Sequence, residues 1–313
     1  MLFRSQSGDH GETVDVLGLE KLEVVKGPAT LLYGSNAIGG VVNAISGHDH
    51  PHPGLRGNLT VVGGSGNSYG AGNAGFEYGT GNLLLWAAGG GQSAGDYSTP
   101  LGEVANSATK LNNGTVGFGR SGDRGFLRLS YGVEDGRYGV PFAESFGGED
   151  EPIALEFRRH NGALKFGAHN LQSRVAGIES QLSYTNYRHI EFEGETPGTR
   201  FDNKQFGYRT VFEQRAGEYL SGRFGFEGSF RNYTATGAEA LTPPVRQNQF
   251  AGFALEEVDV KRARLQFGGR VETNGYDPRG LDSRRFTGVS GAAGVHVPLW
   301  QGGAAVVNLT HSY

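Results

Sequence analysis

The side chains best suited to chemistry in this sequence are histidines, and some of its nine histidines have neighbours that would help them to bind a metal ion. Asp9 and His10 are adjacent in the stretch GDHGE. Carboxylate oxygens and neutral imidazole nitrogens are good zinc ligands, and the flanking glycines would let the backbone aim both side chains. The alternative is a solvated loop with incidental charges.

A second pair, His189 and Glu191, lies two residues apart in LSYTNYRHIEFEG. Together with Thr185 and Tyr187, the pair forms one polar face of a predicted strand. Two residues along a strand are about 6.6 Å apart, so the pair is too widely spaced to hold an ion tightly alone but could share one with other ligands. The alternative role is hydrogen bonding within that polar face.

A third group, His48, His50 and His52, occurs in GHDHPHPG. Three histidines with an aspartate in so short a tract are a plausible metal site, and a polar linker held extended by its prolines is an equal alternative. The chain has no cysteine, so any metal ligands are nitrogen or oxygen, which suits zinc or copper. No catalytic triad spacing and no recognisable acid and base pair are present, so we expect no enzyme and no resident cofactor; a transition metal would be substrate.

The elements that would position these residues are strands, because apolar and polar side chains alternate from about residue 55 onward. The pattern is clearest in 126–135, 219–231 and 264–273, where leucine, valine and aromatic residues face one way and arginine, glutamate and serine the other. Period-two alternation predicts strands with one apolar and one polar face. About 12–13 such segments are present, and 54 glycines among 313 residues fit an all-β chain with many turns.

Two architectures explain this pattern: a soluble β-sandwich used for adhesion, with its apolar face inward, and a transmembrane barrel, with that face toward lipid. The barrel is favoured by strands near ten residues and by short turns that alternate with longer loops. The predicted longer loops are 93–107, 136–152, 193–202, 236–247 and 275–284. The net charge of −4 and the lack of basic runs argue against nucleic acid, and no apolar run is long enough for a membrane helix.

Residues 19–47 read LEKLEVVKGPATLLYGSNAIGGVVNAISG, a compact strand–turn–strand rich in glycine. This stretch resembles the C-terminal half of the plug domain of TonB-dependent outer-membrane receptors. The resemblance implies a plug inside a 22-stranded barrel, of which this chain would be an internal fragment: plug 1–47, linker 48–54 and a partial antiparallel barrel 55–313. It is carried by Lys26, Gly27, Pro28, Tyr33, Gly34, Gly39, Gly40 and Asn43.

Further segments resemble barrel strands of the zinc, metal and siderophore receptors of that family: GDY at 95–97, DRGF at 123–126, RYGVP at 137–141, YRH at 187–189 and GTRFDN at 198–203. The resemblance implies energy-coupled uptake of a metal ion or metal chelate into the periplasm, from the outer membrane of a Gram-negative-type envelope. Its implied partners are outer-membrane lipid and an inner-membrane TonB complex that acts on a preceding segment. It implies that Asp9 and His10 help to hold metal in the vestibule. His48, His50 and His52 would then lie on the periplasmic side. Zinc, copper, haem and ferric siderophore remain open as substrates.

Overall fold

In the computed structural model, the described residues are 16–34, 37, 39–45, 51–141, 151–238 and 240–313. Asp9, His10, His48 and His50 lie outside them. Within these ranges, no helix has both the length and the apolar character needed to cross a membrane.

The glycine-rich stretch near the N-terminus forms a small unit of its own. Strands β1 (Lys21–Val25) and β2 (Val41–Ile45) pair antiparallel, with Val24 opposite Val42. They are joined by a 3₁₀ helix, Gly27–Tyr33, rather than by the simple turn that the sequence suggests, and another 3₁₀ turn, Val16–Gly18, precedes β1. Pro28 suits the first turn of this helix because its missing N–H would have no partner there.

Two motif glycines in this unit are required by the backbone. Gly27 has φ of +74° and Gly40 has φ of +136°, values that residues with a side chain rarely adopt. A Cβ added to Gly27 would lie 2.9 Å from Nδ2 of Asn308, and one added to Gly40 would lie 3.1 Å from the carbonyl oxygen of Val25. The first of these contacts is with the wall of the large sheet, as the resemblance to a plug implies.

The rest of the described chain is a single large antiparallel sheet of 13 strands, as the alternation predicts. Neighbours in the chain are neighbours in the sheet throughout, apart from one two-stranded insertion that pairs with itself. The strands are β3 (Gly54–Gly64), β4 (Tyr69–Thr80), β5 (Leu83–Ala94), β6 (Tyr97–Thr99), β7 (Gly102–Val104), β8 (Thr109–Ser121), β9 (Gly125–Gly139), β10 (Ile153–Ala168), β11 (Val175–Glu193), β12 (Thr196–Ala216), β13 (Leu220–Thr236), β14 (Val245–Val260), β15 (Ala263–Pro278), β16 (Arg284–Trp300) and β17 (Gly303–His311).

The two faces of this sheet differ as a barrel requires and a sandwich does not. Tyr131 and Phe267, on the apolar face, are each 49% exposed, whereas Arg270 and Leu255, on the opposite face, are 1% and 5% exposed. In the described part of the chain, the only other sheets are the pair β1–β2 and the pair β6–β7. The apolar face therefore points outward, and the opposite face, which carries Arg270 and Leu255, is the inner face.

Short turns lie at one end of the sheet and most of the longer connections at the other. The short turns are 81–82, 122–124, 217–219, 261–262 and 301–302. They alternate with longer connections at 95–108, 140–152, 237–244 and 279–283. The predicted loop at 193–202 is wrong, because β11 continues to Glu193 and β12 begins at Thr196. Gly194, with φ of +58°, makes the tight turn between them, and Pro197 pairs with Phe192 at the exposed start of β12.

Candidate functional site on the inner face

The 3₁₀ helix Gly27–Tyr33 packs against the inner face of strands β14 to β17. Leu32, which is buried, forms an apolar cluster with Phe253 and Leu255 of β14, and Ala29, Tyr33 and Val211 surround this cluster. Alternation places Phe253 and Leu255 on the same face of their strand, so the helix meets a prepared apolar surface. We refer to this contact as the plug dock.

A buried ionic network lies directly beside the plug dock. Arg270 of β15, whose side chain is fully buried, donates from Nη2 to Oε1 of Glu227 at 2.5 Å and to Oε2 of Glu272 at 2.6 Å, and from Nε to the same Glu272 oxygen at 2.9 Å. Glu227 also accepts a hydrogen bond from Arg209 of β12, and Glu272 accepts one from Asn274. Two guanidinium groups and two carboxylates therefore balance one another, with Arg270 and Glu272 buried and Arg209 and Glu227 partly exposed.

The network reaches the plug through the backbone and through aromatic rings. Nη1 of Arg270 lies 3.5 Å from the carbonyl oxygen of Leu31. The guanidinium of Arg209 lies 4.7 Å from the ring centre of Phe253 and 5.8 Å from that of Tyr33, within the range of cation–π attraction. Because no side-chain charge of the plug helix enters the network, its docking combines apolar contact with one main-chain acceptor.

A second inner-face feature is a row of aromatic rings across β9 to β13, which we call the aromatic ladder. Successive ring centres are separated by 6.4 Å from Tyr138 to Phe157, 6.1 Å to Tyr187, 5.5 Å to His189, 4.4 Å to Phe201 and 6.5 Å to Tyr233. His189 and Phe201 are stacked, with 18° between their planes. The ladder lies near the strand ends that lead into the longer connections.

Two arginines lie along the aromatic ladder. Arg159 lies 5.3 Å from the ring centre of Tyr187 and donates from Nη1 to Oε2 of Glu134 at 3.0 Å. Arg231 lies 5.2 Å from the ring centre of Tyr233 and donates from Nε to Oδ1 of Asn203 at 2.9 Å. Arg159 is buried and Arg231 is half-buried, so the half-buried rings with Arg231 beside them form the part of the ladder suited to planar, delocalised anions.

Of the predicted metal ligands, the structure describes His189, Glu191 and His52. His189 is buried on the inner face, as its strand pattern predicts, and Glu191 shares that face. His52 is also buried, with Nε2 at 3.0 Å from Oε2 of Glu77 on β4, so it packs against the wall instead of lying in a solvated linker. Among the residues that the structure describes, no group of three or more histidines and carboxylates is arranged to hold a metal ion.

Sequence reasoning did not identify the plug dock or its ionic network. The only signal was the alternation that puts Arg270 and Glu272 on one polar face and Glu227 on another. The register of β13, β14 and β15 decides that these side chains meet. Glu227 lies opposite Ala251, and Ala251 lies opposite Glu272, so both glutamates are on the same face at the same level of the sheet.

Comparisons with known proteins agree with this arrangement. Residues 3–41 match the family model of the TonB-dependent receptor plug domain. Among solved structures, the chain resembles the copper transporter OprC, with a TM-score of 0.82 and 20% identity over 94% of this chain and 50% of that one. It also resembles the ferric-catecholate import receptor Fiu from E. coli K12, with a TM-score of 0.75 and 14% identity over 97% of this chain and 61% of that one. The siderophore receptor PiuA from Acinetobacter baumannii gives a TM-score of 0.69 and 14% identity over 96% of this chain and 55% of that one.

At identities this low, the structural similarity shows a shared fold, and the chain spans between half and about three fifths of the length of those three structures. The fold in question is an antiparallel barrel wall with a small unit docked on its inner face. Residues 3–41 therefore match the plug domain of TonB-dependent receptors, and the chain shares its fold with the solved copper transporter and siderophore receptors.

Proposed function

We propose that this chain forms part of the plug and wall of an outer-membrane receptor for energy-coupled uptake of a metal ion or metal chelate into the periplasm. The observation that carries the proposal is the inner face, where the plug dock and the aromatic ladder lie on the same side of the sheet. The fold similarity to a copper transporter and to siderophore receptors supports it. The proposed division of the chain is plug 1–47, linker 48–54 and barrel 55–313.

The aromatic ladder favours a chelate as the bound species. A ferric chelate with aromatic, oxygen-rich arms presents flat rings and negative charge, which the half-buried rings of Tyr187 and Phe201 and the half-buried guanidinium of Arg231 complement. The position of the ladder near the longer connections would let such a substrate be bound before it reaches the plug.

A bare zinc or copper ion would need nitrogen and oxygen ligands instead. For that case we propose Asp9 and His10 as ligands, with His189 or Glu191 contributing from the wall. His189 lies on the inner face, and Glu191 is two residues further along the same strand. Displacement of the plug would then separate the ligands and release the ion. The alternative periplasmic site would use His48, His50 and His52.

Energy would come from an inner-membrane TonB complex that pulls on a plug segment outside this chain. The contacts of the plug dock suit such a mechanism. The helix Gly27–Tyr33 is held by apolar contact through Leu32 and by the carbonyl of Leu31, without a side-chain ion pair between plug and wall in the described residues of this helix. A pull would therefore separate the plug helix from the wall without separating the buried charges of the wall from one another.

Binding measurements on the full-length receptor test these alternatives. Replacement of both Tyr187 and Phe201 by alanine should weaken a ferric catecholate chelate by 10-fold or more if the ladder binds it, that is by about 1.4 kcal/mol. Replacement of Tyr184 and Phe206, which lie on the outer face of the same two strands, is the matched control and should leave binding unchanged. Equal effects of the two double variants would reject the ladder as the binding surface.

For metal ions, the double change Asp9→Ala and His10→Ala should weaken zinc or copper binding by more than 10-fold. A smaller loss is incompatible with removal of two direct ligands. If the triple change at His48, His50 and His52 abolishes binding instead, the site lies in the linker. If neither the ions nor the chelate bind the folded receptor, the proposed function is wrong.

A further inference from the structure

One carboxylate lies on the outer face of the sheet among apolar side chains. Glu256 of β14 has the outward parity of Phe250, which is 56% exposed, and alternates with Leu255 of the inner face. The outward side chains around it are apolar: Ala254 and Val258 on its own strand, Leu220 and Phe224 on β13, and Leu265 and Phe267 on β15. An ionisable residue at such a place indicates a functional site with a partner for its charge.

The carboxylate of Glu256 is held against the sheet by its neighbours on one side. Gly222 of β13 lies directly opposite Glu256, and a Cβ added to Gly222 would lie 2.6 Å from Cδ of Glu256. The glycine therefore leaves a notch that the carboxylate occupies. Across this notch, Nε2 of Gln214 on β12 donates to Oε2 of Glu256 at 3.4 Å.

A single neutral donor does not balance the charge of Glu256. A carboxylate has about four acceptor positions, and Gln214 occupies one of them at a long distance. In the part of the chain that the structure describes, no ion pair involves Glu256. A negative charge beside so much apolar surface is costly unless a cation pairs with it, so a positively charged ligand would be favourable at this place.

Aromatic rings beside the carboxylate indicate which cation fits. Phe267, which is 49% exposed, lies directly opposite Glu256 on β15. Phe224, two residues from Gly222 on the same face of β13, is stacked on Phe212 with ring centres 5.1 Å apart. The faces of aromatic rings attract ammonium groups within about 6 Å, and the carboxylate supplies the opposite charge. The outer face therefore presents a recognition surface for an ammonium group.

Exposed aromatic side chains at the short-turn end show the level of this site in the membrane. Tyr219, in the turn 217–219, is 68% exposed, and Trp300, at the end of β16, is 69% exposed. Tyrosine and tryptophan at such positions of a membrane barrel mark the level of the lipid headgroups. Leu220 follows Tyr219 and lies opposite Val258, which is two residues, or about 7 Å along the strand, from Glu256. Headgroups of the leaflet at this end can therefore reach the carboxylate.

We propose that Glu256, Gln214 and Phe267 bind the primary ammonium group of a phospholipid, with phosphatidylethanolamine as the simplest example. The ammonium group would pair with the carboxylate and contact the ring of Phe267, and the acyl chains would lie on Phe224 and Leu265. A lysine of another protein presents the same group, but apolar side chains around the carboxylate at membrane level suit a molecule that carries both an ammonium group and acyl chains. The inference rests on the proposed location of the receptor in an outer membrane.

The first test uses the full-length receptor in detergent micelles that contain equal amounts of phosphatidylethanolamine and phosphatidylglycerol with the same acyl chains. Phosphatidylglycerol keeps the phosphate but has no ammonium group, and native mass spectrometry counts the bound lipids. The receptor should retain phosphatidylethanolamine about 10-fold more than phosphatidylglycerol, as one charge-assisted hydrogen bond predicts. Equal retention of the two lipids by the unaltered receptor would overturn the proposal.

The variant Glu256→Gln keeps the shape of the side chain and removes its charge, so it should abolish the preference for phosphatidylethanolamine. The matched control is Glu156→Gln, which removes an outward carboxylate near the longer connections and should keep the preference. An unchanged preference in Glu256→Gln, or an equal loss in both variants, would reject the site.

A second measurement locates the ammonium group in the membrane. A membrane-permeant carbodiimide joins a carboxylate to a neighbouring primary amine as an amide, with loss of water. In outer-membrane vesicles that contain the full-length receptor, it should attach phosphatidylethanolamine to the peptide that carries Glu256, and mass spectrometry of the digest identifies the adduct. Attachment to a lysine of another protein would overturn the lipid assignment. Metal or chelate binding is measured on the same preparation, so absence of the lipid with intact substrate binding rejects this inference alone.

Discussion

Replacement of Arg270 by glutamine should destabilise the receptor strongly, because it removes the central and fully buried cation of the ionic network. The side chain is fully buried, and it makes three hydrogen bonds to carboxylates at distances between 2.5 and 2.9 Å. Its loss would leave Glu272, which is 4% exposed, without its cation. Breaking a buried ion pair in this way costs about 3–5 kcal/mol.

The assay is urea unfolding of the full-length receptor in detergent micelles, followed by tryptophan fluorescence. Arg264→Gln is the matched control, since Arg264 is on the same strand and pairs with Asp259 at 2.9 Å, but its side chain is 53% exposed. An exposed pair of this kind contributes about 0–1 kcal/mol. A free-energy loss for Arg270→Gln that is no larger than the loss for Arg264→Gln would refute the account of the network.

The double change Arg270→Gln and Glu272→Gln separates pairing from other effects of the substitution. Removal of both charges leaves Glu227 paired with Arg209, so the double variant should be more stable than Arg270→Gln alone. The single variant Glu272→Gln completes the comparison. If the losses of unfolding free energy in the two single variants add up to the loss in the double variant, the two charges are not coupled and the structural argument is wrong.

Three other outcomes follow from the structure. Phe226→Arg on the outer face should disfavour assembly in the membrane by a free energy of about 2–4 kcal/mol. The inner-face change Arg223→Ser should be tolerated. Equal yields of folded receptor from the two variants would contradict the assignment of the faces. The backbone N–H of Ser107 and two further amides lower the pKa of Asp96. This carboxylate should therefore hold the base of the 95–108 connection at pH values above its ordinary pKa of about 3.9 and release it as pH falls through the lowered folded-state pKa. The protection of the Ser107 amide against hydrogen exchange, taken relative to the intrinsic exchange rate at each pH, should fall between pH 5 and pH 2, and an Asp96→Asn variant should show no such titration. Residues 1–313 expressed alone should not give a stable closed barrel, because β3 and β17 are both edges of the described sheet; a monomeric, heat-modifiable barrel from this chain would show that closure needs no further strands.

The strands and their faces could be predicted from the sequence because alternation is a local signal. Leu265, Phe267 and Val271 lie outward and Arg270 inward, as period two requires. The region around 193–202 could not be read in the same way. Gly194, Pro197 and Gly198 suggest a loop, yet this segment is a tight turn followed by the start of β12, which pairs with the end of β11.

The plug dock and the ionic network could not be predicted from the sequence for a different reason. Arg270 and the carbonyl of Leu31 are 239 residues apart, and no local pattern indicates that they meet. His189 could be placed on the inner face from its strand, but its stacking on Phe201 depends on the register of β11 against β12. The roles of Asp9, His10, His48 and His50 stay predictions, since they lie outside the described residues.

Uptake by cells tests the central claim most directly. Cells that lack their own receptor and express the full-length protein should accumulate radioactive metal, supplied as the free zinc or copper ion or as the ferric catecholate chelate, above the level of cells without it. An uncoupler that abolishes the inner-membrane proton gradient should remove this gain, because passage past a docked plug needs a pull from the energised partner. Accumulation no greater than in receptor-free cells for every one of these substrates, or accumulation that persists unchanged with the uncoupler, would contradict an energy-coupled receptor for a metal ion or metal chelate.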